Sequence, residues 1–243
     1  MAEIKLADIH THILPAVDDG AADLQTSLEM LRMEAEQGVK LLFLTPHYMH
    51  GRGRYEGPEL KRRFAELMQN EEAAKIRASG MDIRLGSELH YTAELVSELD
   101  SGIALTMDGT KTILLEFYPG DSARKIADGC RDVYNGGYRV ILAHIERYIN
   151  LDEALLNQLL DMDVRFQMNA SYVKDLFRLQ LGRKRWHKKL LKEGIVSFIA
   201  TDTHNTTTRR PDLSADFMIR NLPERAEELL WLNAAQITGK GEK

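Results

Sequence analysis

The chain has 243 residues, of which 44% are hydrophobic and 28% charged, a composition typical of a globular protein long enough for one α/β barrel. The formal net charge of −5 gives no general reason to bind nucleic acid, and the lone cysteine, Cys130, excludes intramolecular disulfides and cysteine-rich zinc sites. No apolar run approaches the roughly 18 residues that span a bilayer, so we expect a cytoplasmic protein without membrane insertion.

Seven short apolar runs predict β-strands. In chain order they cover residues 4–9, 39–45, 82–88, 112–117, 138–143, 164–169 and 195–201. Several are nearly continuous in apolar residues, which is typical of parallel strands that are covered on both faces. The sequence therefore favours a parallel sheet.

The segments between these runs have helical periodicity. The first, which ends at Gly38, places Leu24, Leu28 and Leu31 on one stripe, and Pro58 suits the first turn of a helix running to about residue 79. Further helices are predicted over residues 93–100, 122–135, 152–160 and 176–193, and another after residue 229. The alternation of strands and helices predicts repeated βαβ units, and hence a parallel sheet or barrel, in a single domain over residues 1–243.

Polar side chains that could bind a metal or a substrate end every predicted strand. They are His10 and His12, His47, Glu88, Glu116, His144, Asn169, and Asp202 with His204. The carboxyl ends of parallel strands converge on one face, so these distant residues can share a pocket. Each histidine alone is commonly structural, and Asp18-Asp19-Gly20 alone is most often a turn before a helix. Glu88 and Glu116 are stronger signals, because an unpaired carboxylate in an apolar strand is unfavourable. The joint placement of all these residues indicates a metal site.

The donor types restrict the metal. Imidazoles and carboxylates suit divalent Mn, Fe or Zn, and the absence of thiolates removes the softest metals. The donors outnumber the needs of one ion, which favours two or three ions with a bridging carboxylate or hydroxide.

Other polar residues divide between the site and the surface. Arg147, Arg209 and Arg210 follow the predicted ligands closely, and arginine forks recognise phosphate oxygens. His50 and His187 are expected on the solvated surface. The sequence leaves open whether His90 binds a metal, contacts the substrate or supports a ligand. Cys130 is expected to be chemically inert.

Six motifs carry a family resemblance: "DIHTHILPAVDDGA", "TPHY", "GSELHY", "LLEF", "AHIERY" and "ATDTHN". Together they resemble the polymerase-and-histidinol-phosphatase (PHP) superfamily, and more closely its bacterial manganese-dependent protein tyrosine phosphatases encoded with capsule and exopolysaccharide genes. The resemblance runs in order from Asp8 to Pro211, with Ile145 where the family favours proline. It implies a distorted (β/α)7 TIM-like barrel, the PHP fold.

The resemblance also implies a three-metal site. One ion would be held by His10, His12, Glu88 and Asp202, a second by Glu88 as a bridge with Glu116 and His144, and a third by Asp19, His47 and His204. Asp18 would order the turn or support a ligand. Arg147 and either Arg209 or Arg210 would bind phosphate.

The implied activity is hydrolysis of a phosphotyrosyl protein, the tail of a tyrosine autokinase in capsule or exopolysaccharide biosynthesis. A metal-activated hydroxide would attack phosphorus in line with the leaving oxygen. Two alternatives remain: a small-molecule phosphatase such as a histidinol phosphatase, and a non-catalytic PHP module. The protein substrate, the choice of Mn over Fe or Zn, and the oligomeric state, a homo-oligomer included, stay open.

Overall fold

Parallel strands alternate with helices in the computed structural model of the protein, which describes residues 4–52, 55–178 and 182–238. The strands are β1 (Leu6–Asp8), β2 (Val39–Leu44), β3 (His47–Tyr48), β4 (Asp82–Leu85), β5 (Glu88–His90), β6 (Thr112–Glu116), β7 (Arg139–Leu142), β8 (Arg165–Asn169) and β9 (Val196–Ala200). The helices are α1 (Leu24–Glu36), α2 (Gly57–Gln69), α3 (Glu71–Ala78), α4 (Leu95–Ser101), α5 (Ala123–Asn135), α6 (Glu153–Leu160), α7 (Ala170–Arg178), α8 (Arg183–Lys192), α9 (Ala215–Asn221) and α10 (Asn233–Ile237). The mixed α/β fold is confirmed.

The strands form two parallel sheets. One has the order β1-β2-β4 and the other β3-β5-β6-β7-β8-β9. Backbone hydrogen bonds join the segments after β1 and β9: His12 N–H donates to the Thr203 carbonyl and Asp202 N–H to the His10 carbonyl, each at 2.9 Å. The predicted parallel arrangement is confirmed, whereas closure of the strands into a complete barrel stays a prediction.

The predicted strand over residues 82–88 is divided into β4 and β5. A Cβ on Gly86 would lie 2.8 Å from the Met107 sulfur, so the chain needs glycine where it passes this side chain. A second break in the strand, at residues 45–46, separates β3 from β2. Because β3 pairs with β5, His47 and Glu88 lie directly opposite each other in register.

Several helix boundaries differ from the predictions. The single helix expected from Pro58 to residue 79 is broken at Asn70, whose side chain accepts hydrogen bonds from the N–H groups of Glu72 and Ala73 and so caps α3. The helix expected over 176–193 is replaced by α7 and α8, with residues 179–181 outside the described part. Helix α9 was not predicted.

The buried apolar side chains of the described residues form two clusters. The larger joins the strands to the helices that cover them and includes Tyr148, Phe117 and Phe166. The smaller draws mainly on strand residues and includes Phe43 and Phe198. Among the described residues, none of the helices has the length and apolar character that crossing a membrane requires.

Candidate metal centre

His10 and His12 lie where the chain leaves β1, and both side chains are fully buried. The spacing of two residues places them on the same side, with their Nε2 atoms 3.2 Å apart. Each Nε2 lies 3.2–3.3 Å from Glu88 Oε2 and 3.5 Å from Asp202 Oδ1. Residues that follow β1 and β9 and the first residue of β5 therefore converge on a volume the size of one coordination sphere.

A second group lies beside the first. Asp19 Oδ1 is 3.5 Å from His47 Nε2 and 3.4 Å from His204 Nε2. Ligand atoms of these three residues and of His12 all lie within 4.8 Å of one another. His12 therefore stands between two groups of donors.

Glu88 occupies the centre of a third group. Its Oε2 lies 3.0 Å from His47 Nδ1, and its Oε1 lies 2.6 Å from His144 Nε2. Glu116 is 3.5 Å from His47 Nδ1 and 3.6 Å from His144 Nε2. The structure thus brings all nine predicted metal ligands into one connected cluster, and it places His47 next to Glu88 and Glu116 as well as next to Asp19.

Hydrogen bonds to neighbouring residues fix the histidine tautomers. A carboxylate only accepts, so the 2.8 Å contact between His12 Nδ1 and Asp18 places the proton on Nδ1. His10 Nδ1 lies 3.2 Å from the amide oxygen of Gln167 and donates in the same way. A neutral ring with its proton on Nδ1 leaves Nε2 free, so both rings direct towards the cluster the nitrogen that can bind a metal.

Gln167, which the strand-end pattern did not single out, supports the predicted ligands. Its oxygen also accepts the His144 backbone N–H at 2.7 Å, and its amide nitrogen donates to Asn169. Asn169 in turn donates to Asp202 at 2.9 Å. The available signal was a glutamine inside an otherwise apolar strand, because such a buried amide needs partners.

Two predicted ligands sit on strained backbone. His144 has φ +33° and Asp202 has φ +54°, in the left-handed region that only a few non-glycine residues adopt. His144 precedes the 3₁₀ turn Ile145–Arg147, so its backbone conformation sets the position of Arg147. Strain of this kind is commonly retained at functional sites.

The arginines are separated by the structure. Arg147 pairs with Asp202, and Arg209 Nη2 lies 2.8 Å from Asp202 Oδ1. Arg210 instead lies 3.9 Å from Asp212. A cavity of about 400 Å³ opens beside the cluster, and Arg209 and Arg210 both line it together with Arg147 and Asp202. Arg209 is the member of the pair that contacts a predicted ligand.

The carboxylates dominate the electrostatics. Burial opposes a charged His47 ring, yet Glu88 and Glu116 beside it raise its pKa to about 10. Burial is likewise outweighed at His10, where Glu88 and Asp202 raise the pKa above its ordinary value. Despite burial, the neighbouring histidines hold the pKa of Glu88 well below its usual range. Such a cluster attracts cations.

The remaining histidines have distinct surroundings. His50 is half exposed, as predicted, and pairs with Glu98 at 2.5 Å. His187 is fully buried, so its predicted surface position is wrong: α8 turns it towards Tyr172, whose hydroxyl lies 2.7 Å from Nδ1. Burial and then Arg183 lower the pKa of His187 to about 4. His90 is 3.5 Å from Glu116 and packs against Tyr118.

Cys130 is buried in α5. Burial raises the pKa of its thiol to about 12. A thiol held protonated in this way is a poor nucleophile, in agreement with the expected inert role.

Comparisons with known proteins agree with this arrangement. The family model for capsular polysaccharide synthesis, CpsB/CapC, matches residues 6–238. The chain is 32% identical over 242 residues to tyrosine-protein phosphatase CpsB of Streptococcus agalactiae, covering 96% of this chain and 98% of that protein. It is 32% identical over 207 residues to tyrosine-protein phosphatase YwqE of Bacillus subtilis, covering 84% and 79%.

A solved structure has the same fold over nearly the whole chain. It is one of the crystal structures of YwqE from Bacillus subtilis and CpsB from Streptococcus pneumoniae, two proteins described as unique metal-dependent tyrosine phosphatases. The TM-score is 0.84 at 27% identity, and the match covers 97% of this chain and 95% of that one.

Proposed function

Because the chain belongs to the capsular polysaccharide synthesis family CpsB/CapC, we propose that it is a metal-dependent protein tyrosine phosphatase. The observation that carries this proposal is the cluster of five imidazoles and four carboxylates with Arg147 and Arg209 at its edge. Relatives named tyrosine-protein phosphatase, similar over nearly their full length, support the same reading. The single domain is proposed to comprise residues 1–243.

The nine residues fit a multinuclear metal site. They are His10, His12, Asp19, His47, Glu88, Glu116, His144, Asp202 and His204. Among the described residues, two buried atoms of the cluster, Glu88 Oε2 and His204 Nε2, have charged neighbours at 3.0–3.4 Å but make no hydrogen bond, and buried polar atoms are rarely left without one. A cation would satisfy both atoms. We propose three divalent ions with Mn first, as the family resemblance implies, and Fe or Zn as alternatives, because nitrogen and oxygen donors without sulfur are compatible with all three metals.

Bound divalent ions would supply a hydroxide at neutral pH and polarise the phosphoryl group. The protein's own residues do the rest. Arg147 and Arg209, which both reach Asp202, bind the phosphate oxygens and stabilise the charge that grows on them in the transition state. Gln167 and Asp18 hold His10 and His12 in the tautomer that binds a cation. The leaving phenolate, whose conjugate acid titrates near pH 10, departs more readily than an alkoxide.

The proposed substrate is a phosphotyrosyl protein, the tail of a tyrosine kinase of capsule or exopolysaccharide synthesis. The proposal places the protein in the cytoplasm, where such a tail would be reached. The net charge of −5 supports no role with nucleic acid.

Activity assays test the proposal directly. Purified protein, stripped with chelator and reloaded separately with Mn, Fe or Zn, is given a phosphotyrosyl peptide and histidinol phosphate. We expect hydrolysis of the peptide to be restored best by Mn and to be abolished in Asp202→Ala. Arg185→Ala, in α8 and outside the cluster, is the control and keeps wild-type activity.

Two outcomes would overturn the proposal. Much faster hydrolysis of histidinol phosphate than of phosphotyrosyl peptides would make the protein a small-molecule phosphatase. Failure to bind any ion after Mn supplementation would make it a non-catalytic module.

A further inference from the structure

Tyr118 occupies an unusual place beside the metal centre. It follows β6 two residues after the predicted ligand Glu116, and 46% of it is exposed. Two residues of extended chain span at most about 7 Å, so the Tyr118 backbone lies within that distance of Glu116, at the rim of the site. Only three large hydrophobic side chains of the described residues are exposed to this degree or more, and one of the other two, Ile149, follows Arg147 by two residues.

Contacts with neighbouring segments hold the Tyr118 side chain at the rim of the site. One contact is with His90 at the end of β5, at 4.1 Å between ring centroids. The Tyr118 hydroxyl lies 3.8 Å from the sulfur of Met49, which follows His47 by two residues. The Tyr118 N–H also donates to Asp121 at 3.0 Å. Tyr118 therefore reaches from the end of β6, past β5, to the chain beyond β3.

The rim thus presents apolar side chains immediately outside polar ligands. Tyr118 follows Glu116 and Met49 follows His47, each by the same two residues. The Ile149 N–H donates to the carbonyl of Pro119 at 3.1 Å, so the backbone of Ile149 adjoins the Tyr118 segment. An exposed apolar surface that adjoins a site is typical of ligand binding.

We propose that Tyr118 and Met49 form a subsite for the aromatic ring of the substrate, and this inference rests on the proposed function. Tyr118 packs on His90, which lies 3.5 Å from the predicted ligand Glu116, so a leaving group directed to this side of the cluster would meet the Tyr118 ring. An aromatic ring there would pack on the Tyr118 ring in an offset or edge-to-face arrangement and contact the Met49 sulfur. A phosphoserine side chain has no ring, so the subsite selects aryl over alkyl phosphates.

Two non-hydrolysable ligands with the same head group test the subsite. Dissociation constants of phenylphosphonate and methylphosphonate are measured by calorimetry on the Mn-loaded protein, and their ratio reports the contribution of the ring alone. We expect the wild type to prefer phenylphosphonate, and Tyr118→Ala to reduce that preference between about threefold and tenfold, the range for one aromatic pair. Met49→Ala should reduce it less.

Matched variants separate the subsite from a structural role. Tyr118→Phe keeps the ring and should keep the preference. Tyr134→Ala removes a tyrosine of similar exposure, 50%, from α5 and should leave the preference unchanged. Metal content is measured for each variant, because loss of an ion would lower the affinity for both phosphonates and leave their ratio unchanged.

Failure of this inference is distinguishable from failure of the proposed function. A wild-type preference that persists in Tyr118→Ala would overturn the subsite even if phosphotyrosyl peptide is hydrolysed. A wild-type protein that hydrolyses no phosphomonoester would overturn the proposed function, whereas the phosphonate ratio would still decide whether the rim binds an aromatic ring.

Discussion

Asp18 supports two predicted ligands at once, and Asp18→Asn tests that support. Its Oδ2 accepts from His12 Nδ1 at 2.8 Å and from the backbone N–H of His47 at 3.0 Å, while Oδ1 accepts from the backbone N–H of Gly20 at 3.0 Å. An asparagine has only one accepting oxygen. In either orientation its amide group therefore faces at least one of these N–H donors, and the negative charge is lost.

The expected size of the effect follows from these contacts. A hydrogen bond to a charged group contributes about 1.5–3 kcal/mol, and loss of a partner that orients a metal ligand typically costs about 10–100-fold in metal affinity. We therefore expect Asp18→Asn to bind Mn²⁺ about 10–100-fold more weakly than the wild type. Competition with a fluorescent chelator measures the affinity.

A matched control lies five residues further along. Asp23 caps α1 by accepting the Thr26 N–H at 2.8 Å, at an exposed position, and asparagine caps helices about as well. Asp23→Asn should bind Mn²⁺ like the wild type. Equal affinities for wild type and Asp18→Asn would refute the assigned role of Asp18.

Three further predictions test other parts of the account. Arg209→Ala should lower kcat/KM for a phosphotyrosyl peptide about 100-fold, whereas Arg210→Ala should change it less than about threefold; equal losses would contradict the assignment. A Cβ on Gly20 would lie 2.1 Å from the carbonyl oxygen of His12, so Gly20→Ala should cost about 1–3 kcal/mol in the free energy of unfolding, and a cost near zero would be inconsistent with this packing. Burial and then a neighbouring aspartate raise the pKa of Glu34 well above its ordinary value, so its contribution to stability is present below the unfolded-state pKa and is lost as pH rises. Between the unfolded-state and the folded-state pKa of Glu34, the free energy of unfolding of the wild type should fall by about 1.4 kcal/mol per pH unit relative to that of Glu34→Gln. Urea unfolding of the Mn-loaded proteins at a series of pH values measures this difference, and parallel pH profiles would exclude a raised pKa.

The strand ends could be predicted because two independent signals coincide there. Apolar runs located the strands, and each run was followed by a polar side chain that would be unfavourable without a partner, as at Glu88 and Glu116. The parallel fold then implied their convergence. The family resemblance added Asp19, which no strand pattern singled out.

Details that depend on tertiary contacts could not be predicted in the same way. Asn70 breaks a segment whose helical periodicity is continuous, although the acidic residues after it are an N-cap signal. His187 lies in a basic stretch, yet the side of α8 that carries it packs on Tyr172. The separation of Arg209 from Arg210 depends on the loop path, which residue order alone does not determine.

Anomalous diffraction at the manganese edge, from crystals equilibrated with Mn²⁺, tests the central claim most directly. The account predicts peaks between the strand ends, about 2.0–2.3 Å from the ring nitrogens and carboxylate oxygens of the nine cluster residues. Peaks that lie only elsewhere on the protein, or none at all, would contradict it.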